Sequence, residues 1–258
     1  MSPTLADLES LARRAGEILR QGVGAQMQMR YKDEIELVTE YDHRSEAFLL
    51  DEIQRRFPGQ RVVSEESGGL DGEDSSVWYI DPLDGTVNFA HGVPLFSVSI
   101  AYAENGHLRL GAVYAPVLEE CFCAQVGQGA TLNGRLIQAS GVDNLRRSLL
   151  VTGFPYDIAS RTDNNLKEYA HFSQRCQGVR RLGSAAIDLC YVACGRLDGY
   201  WEQHVQAYDV AAGGLIAREA GAVVTNLAGE ADFLRPPITI LAAGAGIYDE
   251  MVAEFQHI

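Results

Sequence analysis

The spacing of apolar residues changes twice along this chain, and that order limits the folds open to it. Leu5, Leu8, Leu11, Ala12, Ala15, Ile18 and Leu19 recur at helical intervals. Thr4 with Asp7 forms a capping pair ahead of them, and Gly22 is a stop signal. A second helix is expected over 43–57, with Ala47, Leu50, Ile53 and Phe57 facing inward, ended by Pro58-Gly59. Strand patterns then follow at 62–65, 77–80 and 96–103. Asn105-Gly106 predicts a hairpin into a strand at 108–114, another strand covers 120–126, and Asn133-Gly134 marks a further turn. Beyond these the elements alternate: strand 149–152, helices 164–177 and 184–194, strand 197–202, helix 209–220, strands 222–225 and 238–242, and helix 248–255. Helices first, an antiparallel run second and alternating elements last predict layered sheets with helices between and outside them.

With 258 residues, the chain is one large or two intimately packed domains at about 150 residues each. Gly141-Val142-Asp143-Asn144 divides it best, into an N-terminal α+β half, 1–142, and a C-terminal α/β half, 143–258, forming one unit. The first 22 residues mix Asp7, Glu9, Arg13, Arg14 and Glu17 among apolar ones, unlike a secretory signal. No window of about 18 uncharged apolar residues exists, so no membrane span is expected. Of the five cysteines, Cys121 and Cys123 share a strand face, and Cys190 and Cys194 share a helix face. Their spacings do not repeat as a zinc site requires, so they read as small buried thiols in a reduced, cytoplasmic protein.

Thirty-five acidic residues against 21 basic ones give a net charge of −14, which argues against a broad surface for nucleic acid or anionic lipid. Some acids stand where a solvated face would not put them. Glu65 and Glu66 close one strand, Asp81 closes the apolar 77–80, Asp84 follows across Pro82 ahead of Gly85-Thr86, and Asp209 opens an alanine- and glycine-rich helix. A turn at Pro82 would let Asp81 and Asp84 face one centre, and Gly85 would let the backbone approach an anion. Carboxylates gathered in one cleft need cations, since mutual repulsion would otherwise protonate them. Oxygen donors without His or Cys favour Mg2+ or Mn2+, and two such ions about 4 Å apart form a clamp for in-line displacement at phosphorus. Spacing alone leaves a bland alternative open. Asp-Gly recurs at Asp71-Gly72 and Asp198-Gly199, and Asp209 also reads as a helix cap.

A longer signature narrows the choice. Trp78-Tyr79-Ile80-Asp81-Pro82-Leu83-Asp84-Gly85-Thr86-Val87-Asn88-Phe89, continuing as His91-Gly92-Val93-Pro94, closely resembles the inositol monophosphatase family. Glu36-Leu37-Val38-Thr39-Glu40-Tyr41-Asp42 and Ser64-Glu65-Glu66-Ser67 match upstream blocks. Gly183-Ser184-Ala185-Ala186, Glu202 and Tyr208-Asp209-Val210-Ala211-Ala212-Gly213 match downstream ones, in order and over nearly the whole chain.

The resemblance implies a layered αβαβα sandwich of the inositol monophosphatase and fructose-1,6-bisphosphatase type, lithium-sensitive and usually a homodimer. It implies that Glu65, Asp81 and the Leu83 carbonyl hold a first Mg2+, and that Asp81, Asp84 and Asp209 hold a second. Glu65 is implied in a third, with Mn2+ able to substitute. Thr86, oriented by Asp42, would position and help deprotonate the attacking water, and the amides of Gly85 and Thr86 would hold the phosphate. Gly183, Ser184 and Ala185 would line the alcohol side, with Glu202 accepting from substrate hydroxyls. The implied reaction is Mg2+-dependent hydrolysis of a small polyol phosphate monoester by activated water, inositol 1-phosphate foremost.

Three positions depart from the family pattern: Tyr208 where Trp is usual, Val87 where Thr or Lys is frequent, and Ala222 where a second Gly often follows Gly221. None removes an implied metal ligand. The haloacid-dehalogenase phosphatases also end a signature in Asp-Gly-Thr, but their nucleophilic Asp would fall on Pro82, which excludes them. Fructose 1,6-bisphosphate, NADP, histidinol phosphate and 3'-phosphoadenosine 5'-phosphate remain as other substrates. A regulatory role bound to protein or RNA remains as another class of function.

Overall fold

Thr39 and Asp42 show how closely local chemistry sets the elements. In the computed structural model, which describes residues 2–24, 29–31 and 37–258, the first helix α1 (Leu5–Gly22) opens on a capping box between Thr4 and Asp7, as expected. Strands β1 (Met29–Tyr31) and β2 (Leu37–Thr39) form a small antiparallel pair. Helix α2 (Glu40–Arg56) then begins three residues before the expected His43. Thr39 is its cap, and the Asp42 carboxylate takes both the Thr39 amide at 2.8 Å and its hydroxyl at 2.6 Å. Glu36 lies outside the described residues.

Strands β3 (Gln60–Ser64), β4 (Glu73–Asp84), β5 (Ser97–Glu104), β6 (His107–Ala115), β7 (Glu120–Gln125), β8 (Ala130–Leu132) and β9 (Arg135–Leu136) make one seven-stranded sheet in sequence order. Only β3 and β4 run parallel. Asn105-Gly106 and Asn133-Gly134 turn the hairpins with both residues at positive φ, the geometry that suits strand twist.

A correction falls at β4. The sequence suggested that the strand closes at Asp81 and that Pro82 makes a turn. Instead β4 runs on to Asp84 through an irregularity: Asp81 opposes Ser99 and Asp84 opposes Ser97, so three steps on β4 match two on β5. Pro82 has no N–H to give, and a bulge is where a sheet tolerates that loss. Side chains alternate along a strand, so residues 81 and 84 would otherwise face opposite ways. The extra residue returns both carboxylates to one side. The five-residue helix α3 (Thr86–Ala90) follows directly, capped by Gly85 at φ 90°.

The second sheet is built from β10 (Leu149–Thr152), β11 (Gly178–Arg180), β12 (Gly199–Gln203), β13 (Val223–Thr225) and β14 (Thr239–Ala243), in the order β11-β10-β12-β14-β13. Helix α4 (Leu166–Ser173) is shorter than the expected 164–177. Asn165 just before it takes a left-handed φ of 66° and spends its amide on Thr152 and Gly153. Helix α5 (Ala185–Ala193) is capped by Ser184, α6 (Ala207–Glu219) opens two residues before Asp209, and α7 (Tyr248–Phe255) ends the fold.

These elements stack as αβαβα. Helices α1 and α2 cover one face of the large sheet over Trp78, Ile80, Val98, Ile100 and Tyr102. Helices α5 and α6 fill the space between the sheets, and α4 and α7 close the far side around Phe172 and Trp201. Close approach in the middle layer needs glycine: a Cβ on Gly213 would come within 2.7 Å of Leu189 Cβ, and one on Gly111 within 3.0 Å of the Ala212 carbonyl. Cys121 and Cys123 share a face of β7, with sulfurs 3.7 Å apart. Glu9 stands close enough to complete a three-ligand group within 4.8 Å, but Arg13 pairs with Glu9 at 2.9 Å and already places a positive charge there. No helix of the described residues is long and apolar enough to cross a membrane.

Candidate active site where β4 meets the N-termini of α5 and α6

A cleft of ≈ 850 Å³ opens beyond the end of β4. It gathers Glu65, Asp81, Leu83, Asp84, Gly85, Thr86, Gly183, Ser184, Ala185, Glu202 and Asp209, so every expected site residue except Asp42 lines it. Asp42 lies directly behind, fully buried, with Thr86 Oγ1 2.9 Å from its Oδ1. The same hydroxyl is 3.0 Å from the Leu83 carbonyl.

Each acid is positioned by the local fold. Asp81 accepts from the Leu83 amide at 3.0 Å, inside the bulge. Asp84 reaches across to α5: its Oδ1 takes the Ala185 amide, and its Oδ2 takes the Ala186 amide and the hydroxyls of Ser97 and Ser184. A carboxylate at a helix N-terminus satisfies amides that have no partner within the helix. Asp209 is the third residue of α6, not its cap, and accepts the Gln206 amide at 2.6 Å as one arm of a capping box. Glu202, on β12, accepts the Tyr200 hydroxyl at 2.7 Å.

These placements are electrostatically costly without a cation. Burial, then Glu65, Asp84 and Asp209, drives the Asp81 carboxyl well above the carboxylate range. Burial likewise lifts Asp209, with Glu65, Asp84 and Glu202 adding to it. Asp84 rises to about 6 through burial, against the lowering pull of its serine and amide donors. Glu202 rises to about 7, again chiefly by burial, with Tyr200 opposing. Carboxylates that are buried and raise one another, with a backbone carbonyl beside them and no imidazole or thiolate among the expected ligands, fit a hard divalent cation. Among the described residues, no three of the pocket acids bring ligand oxygens within 4.8 Å of one another.

Sequence reading passed over four contributors. Asp188 lines the cleft from α5 although only 1% exposed. Its signal was available: it is the lone charge in Ala185–Ala193. Tyr200 anchors Glu202. Gly153 leaves room for the Glu202 carboxylate, which a Cβ there would strike. Asn165 ties that wall together, donating to the Gly153 carbonyl and accepting from Trp201 Nε1 at 2.6 Å each. Tyr208, one of the departures, also lines the cleft, and its carbonyl accepts from Ser99.

Two stacked sheets with a carboxylate-rich cleft at their seam define a layered mixed α/β fold. Over residues 1–258 the chain matches the inositol monophosphatase family, a family of phosphatases, and it belongs to that family. It is 51% identical over 191 residues to the inositol-1-monophosphatase of Synechocystis sp., covering 74% of this chain and 67% of that one. It is 39% identical to the Nus factor SuhB of Pasteurella multocida, over 99% and 97% of the two chains. The solved inositol monophosphatase of Anabaena superposes with a TM-score of 0.87 at 40% identity, covering 97% and 94%.

Proposed function

We propose that this chain hydrolyses a small polyol phosphate monoester, with inositol 1-phosphate the foremost substrate, and that it does so with Mg2+. The observation that carries this reading is the seating of Glu65, Asp81, Asp84 and Asp209 around one cleft that Glu202, held by the Tyr200 hydroxyl, also lines. Glu65, Asp81 and the Leu83 carbonyl would hold one ion and Asp81, Asp84 and Asp209 another, with Mn2+ able to replace Mg2+. Bound there, the ions supply charge neutralisation for the phosphoryl oxygens and acidify water.

The remaining steps belong to the protein. The Thr86 hydroxyl, giving its hydrogen to Asp42 Oδ1, turns a lone pair toward the cleft and accepts from the attacking water. As the water oxygen bonds to phosphorus, its proton passes to Thr86 Oγ1 while Thr86's own passes to Asp42. The Asp42 carboxyl is lifted by burial and so suited to receive it. The ester P–O bond breaks on the opposite side, and the departing alkoxide is protonated by solvent. Gly85 and Thr86 hold the phosphate through backbone amides, and Glu202 accepts from a hydroxyl of the alcohol.

The test is phosphate release from a panel of esters: inositol 1-phosphate, fructose 1,6-bisphosphate, NADP, histidinol phosphate and 3'-phosphoadenosine 5'-phosphate. Mg2+-dependent turnover led by inositol 1-phosphate is expected, and activity that survives thorough chelation would overturn the metal role. A regulatory reading is favoured only by the likeness to proteins named Nus factor SuhB. It requires a partner retained on pull-down by Asp84→Asn, together with failure to turn over any ester of the panel.

A further inference from the structure

Buried polar atoms in this cleft are paired almost throughout. Both oxygens of Asp84 have hydrogen-bond donors, Glu202 Oε2 holds the Tyr200 hydroxyl, and Ser184 both donates to Asp84 and accepts from the Ile187 amide. Asp188 breaks the pattern. Among the described residues, its Oδ1 is the one buried side-chain nitrogen or oxygen with no hydrogen-bond partner. The residue is 1% exposed, lies one helical turn beyond the Ser184 cap and lines the same cleft. A fold that satisfies its neighbours so fully retains an orphaned acceptor at a stability cost, so the atom points to a ligand that the protein alone does not supply.

Its surroundings indicate which part of a ligand. Burial, then Glu202 and Asp84, raises the Asp188 carboxyl well above the carboxylate range, with Arg181 opposing. Asp188 sits on α5 one turn beyond Ser184 and Ala185, the residues expected on the alcohol side, and shares the cleft lining with them and with Glu202. Tyr200, buried on β12, gives its hydroxyl to Glu202, and burial, then Glu202 and Asp188, raises it well above its ordinary value. Among the described residues no cation pairs with Asp188 at salt-bridge distance, and a neutral hydroxyl donor suits an acceptor that already faces Glu202 and Asp84.

We propose that Asp188 is a further specificity-determining residue. Its carboxyl, turning the unpaired Oδ1 toward the cleft, takes a hydrogen bond from a hydroxyl of the leaving polyol, directly or across one water, beside the hydroxyl taken by Glu202. The two carboxyls then read two hydroxyls of one ring, which an alcohol without such a pair cannot supply. This rests on the polyol phosphatase reading of the cleft.

The experiment compares Asp188→Leu and Asp188→Asn with wild type on inositol 1-phosphate and on phenyl phosphate, both with Mg2+. Losing a hydrogen bond to a buried carboxyl should raise KM for the inositol ester by roughly tenfold or more, several times the change seen with phenyl phosphate. Asp188→Asn should fall between wild type and Asp188→Leu. Thermal unfolding of the metal-free proteins supplies a second readout: Asp188→Leu should melt at or above wild type, because the orphaned acceptor is gone. If Asp188→Leu does not fold, Asp188→Asn carries the kinetic comparison alone. Equal losses on both esters, or an unchanged KM for the inositol ester, overturn the role of Asp188 while leaving the site reading intact. Absence of turnover of either ester by wild type removes the site reading, and this proposal with it.

Discussion

Thr86 is where a single hydroxyl decides most. It is buried, and both oxygens within its reach, Asp42 Oδ1 and the Leu83 carbonyl, are buried with it. Thr86→Val keeps the shape and removes the donor. It should cost about 1–3 kcal/mol of stability, read by urea unfolding, because Asp42 loses a partner. Phosphate release should fall by about 10²–10⁴-fold, while Thr86→Ser keeps most of it. Gly153→Ala tests the opposite wall. The new methyl would displace the Glu202 carboxylate from Tyr200, so KM for inositol 1-phosphate should rise roughly tenfold and the melting temperature should fall, because the buried Tyr200 hydroxyl loses its partner. If the inositol and phenyl esters suffered alike in Gly153→Ala, Glu202 would not be reading hydroxyls.

At the scale of elements, the middle helices are the tightest fit. Gly213→Ala on α6 drives a methyl against Leu189 on α5, with the Ala186 carbonyl 3.3 Å away. Overpacking of this kind costs about 1–3 kcal/mol, and the measurement is the denaturant midpoint. The same scale shows what could be read from the chain. The helical spacing of α1, the Asn-Gly hairpins and the alternation at β5–β7 are local signals, and the elements appear where those signals lie. The bulge in β4 is not local. Proline reads as a turn from sequence, and only the partner strand β5 reveals that Pro82 stays in the sheet. Asp209 was ambiguous for a similar reason. A capping residue and a cleft-lining acid look alike until α6 is seen to start at Ala207, which makes Gln206 the cap and Asp209 the third helical residue, lining the cleft. Asp188 was overlooked because one acid in an apolar helix carries no spacing motif.

For the whole molecule, pH and metal should act as linked variables. Asp84 and Glu202 have folded values of about 6 and about 7, above their ordinary 3.8 and 4.5, and Asp81, Asp188 and Asp209 are raised as well. An acid raised by folding binds its proton more tightly in the native state. Its stabilising effect is full below the ordinary value and is lost as pH rises through the folded one. Asp7, Glu52 and Asp157 are lowered and have the opposite sign, but their effect falls below the ordinary carboxylate values. Metal-free protein should therefore melt higher at about pH 5 than at about pH 7.5. Saturating Mg2+ should flatten or reverse that slope, since it binds the ionised acids. A melting temperature indifferent to Mg2+ across this range would argue against the cation site.

Asp84 offers a way to watch that site. Its oxygens are held by the first two backbone amides of α5, Ala185 and Ala186, so whatever binds the carboxylate must polarise those N–H groups. Their nitrogen and proton resonances, and the rate at which deuterium replaces their hydrogens, make a built-in indicator of occupancy. It needs no substrate, no turnover and no added probe. Titrating Mg2+ into isotope-labelled protein should move these two signals early and together, ahead of amides at the far end of the same helix.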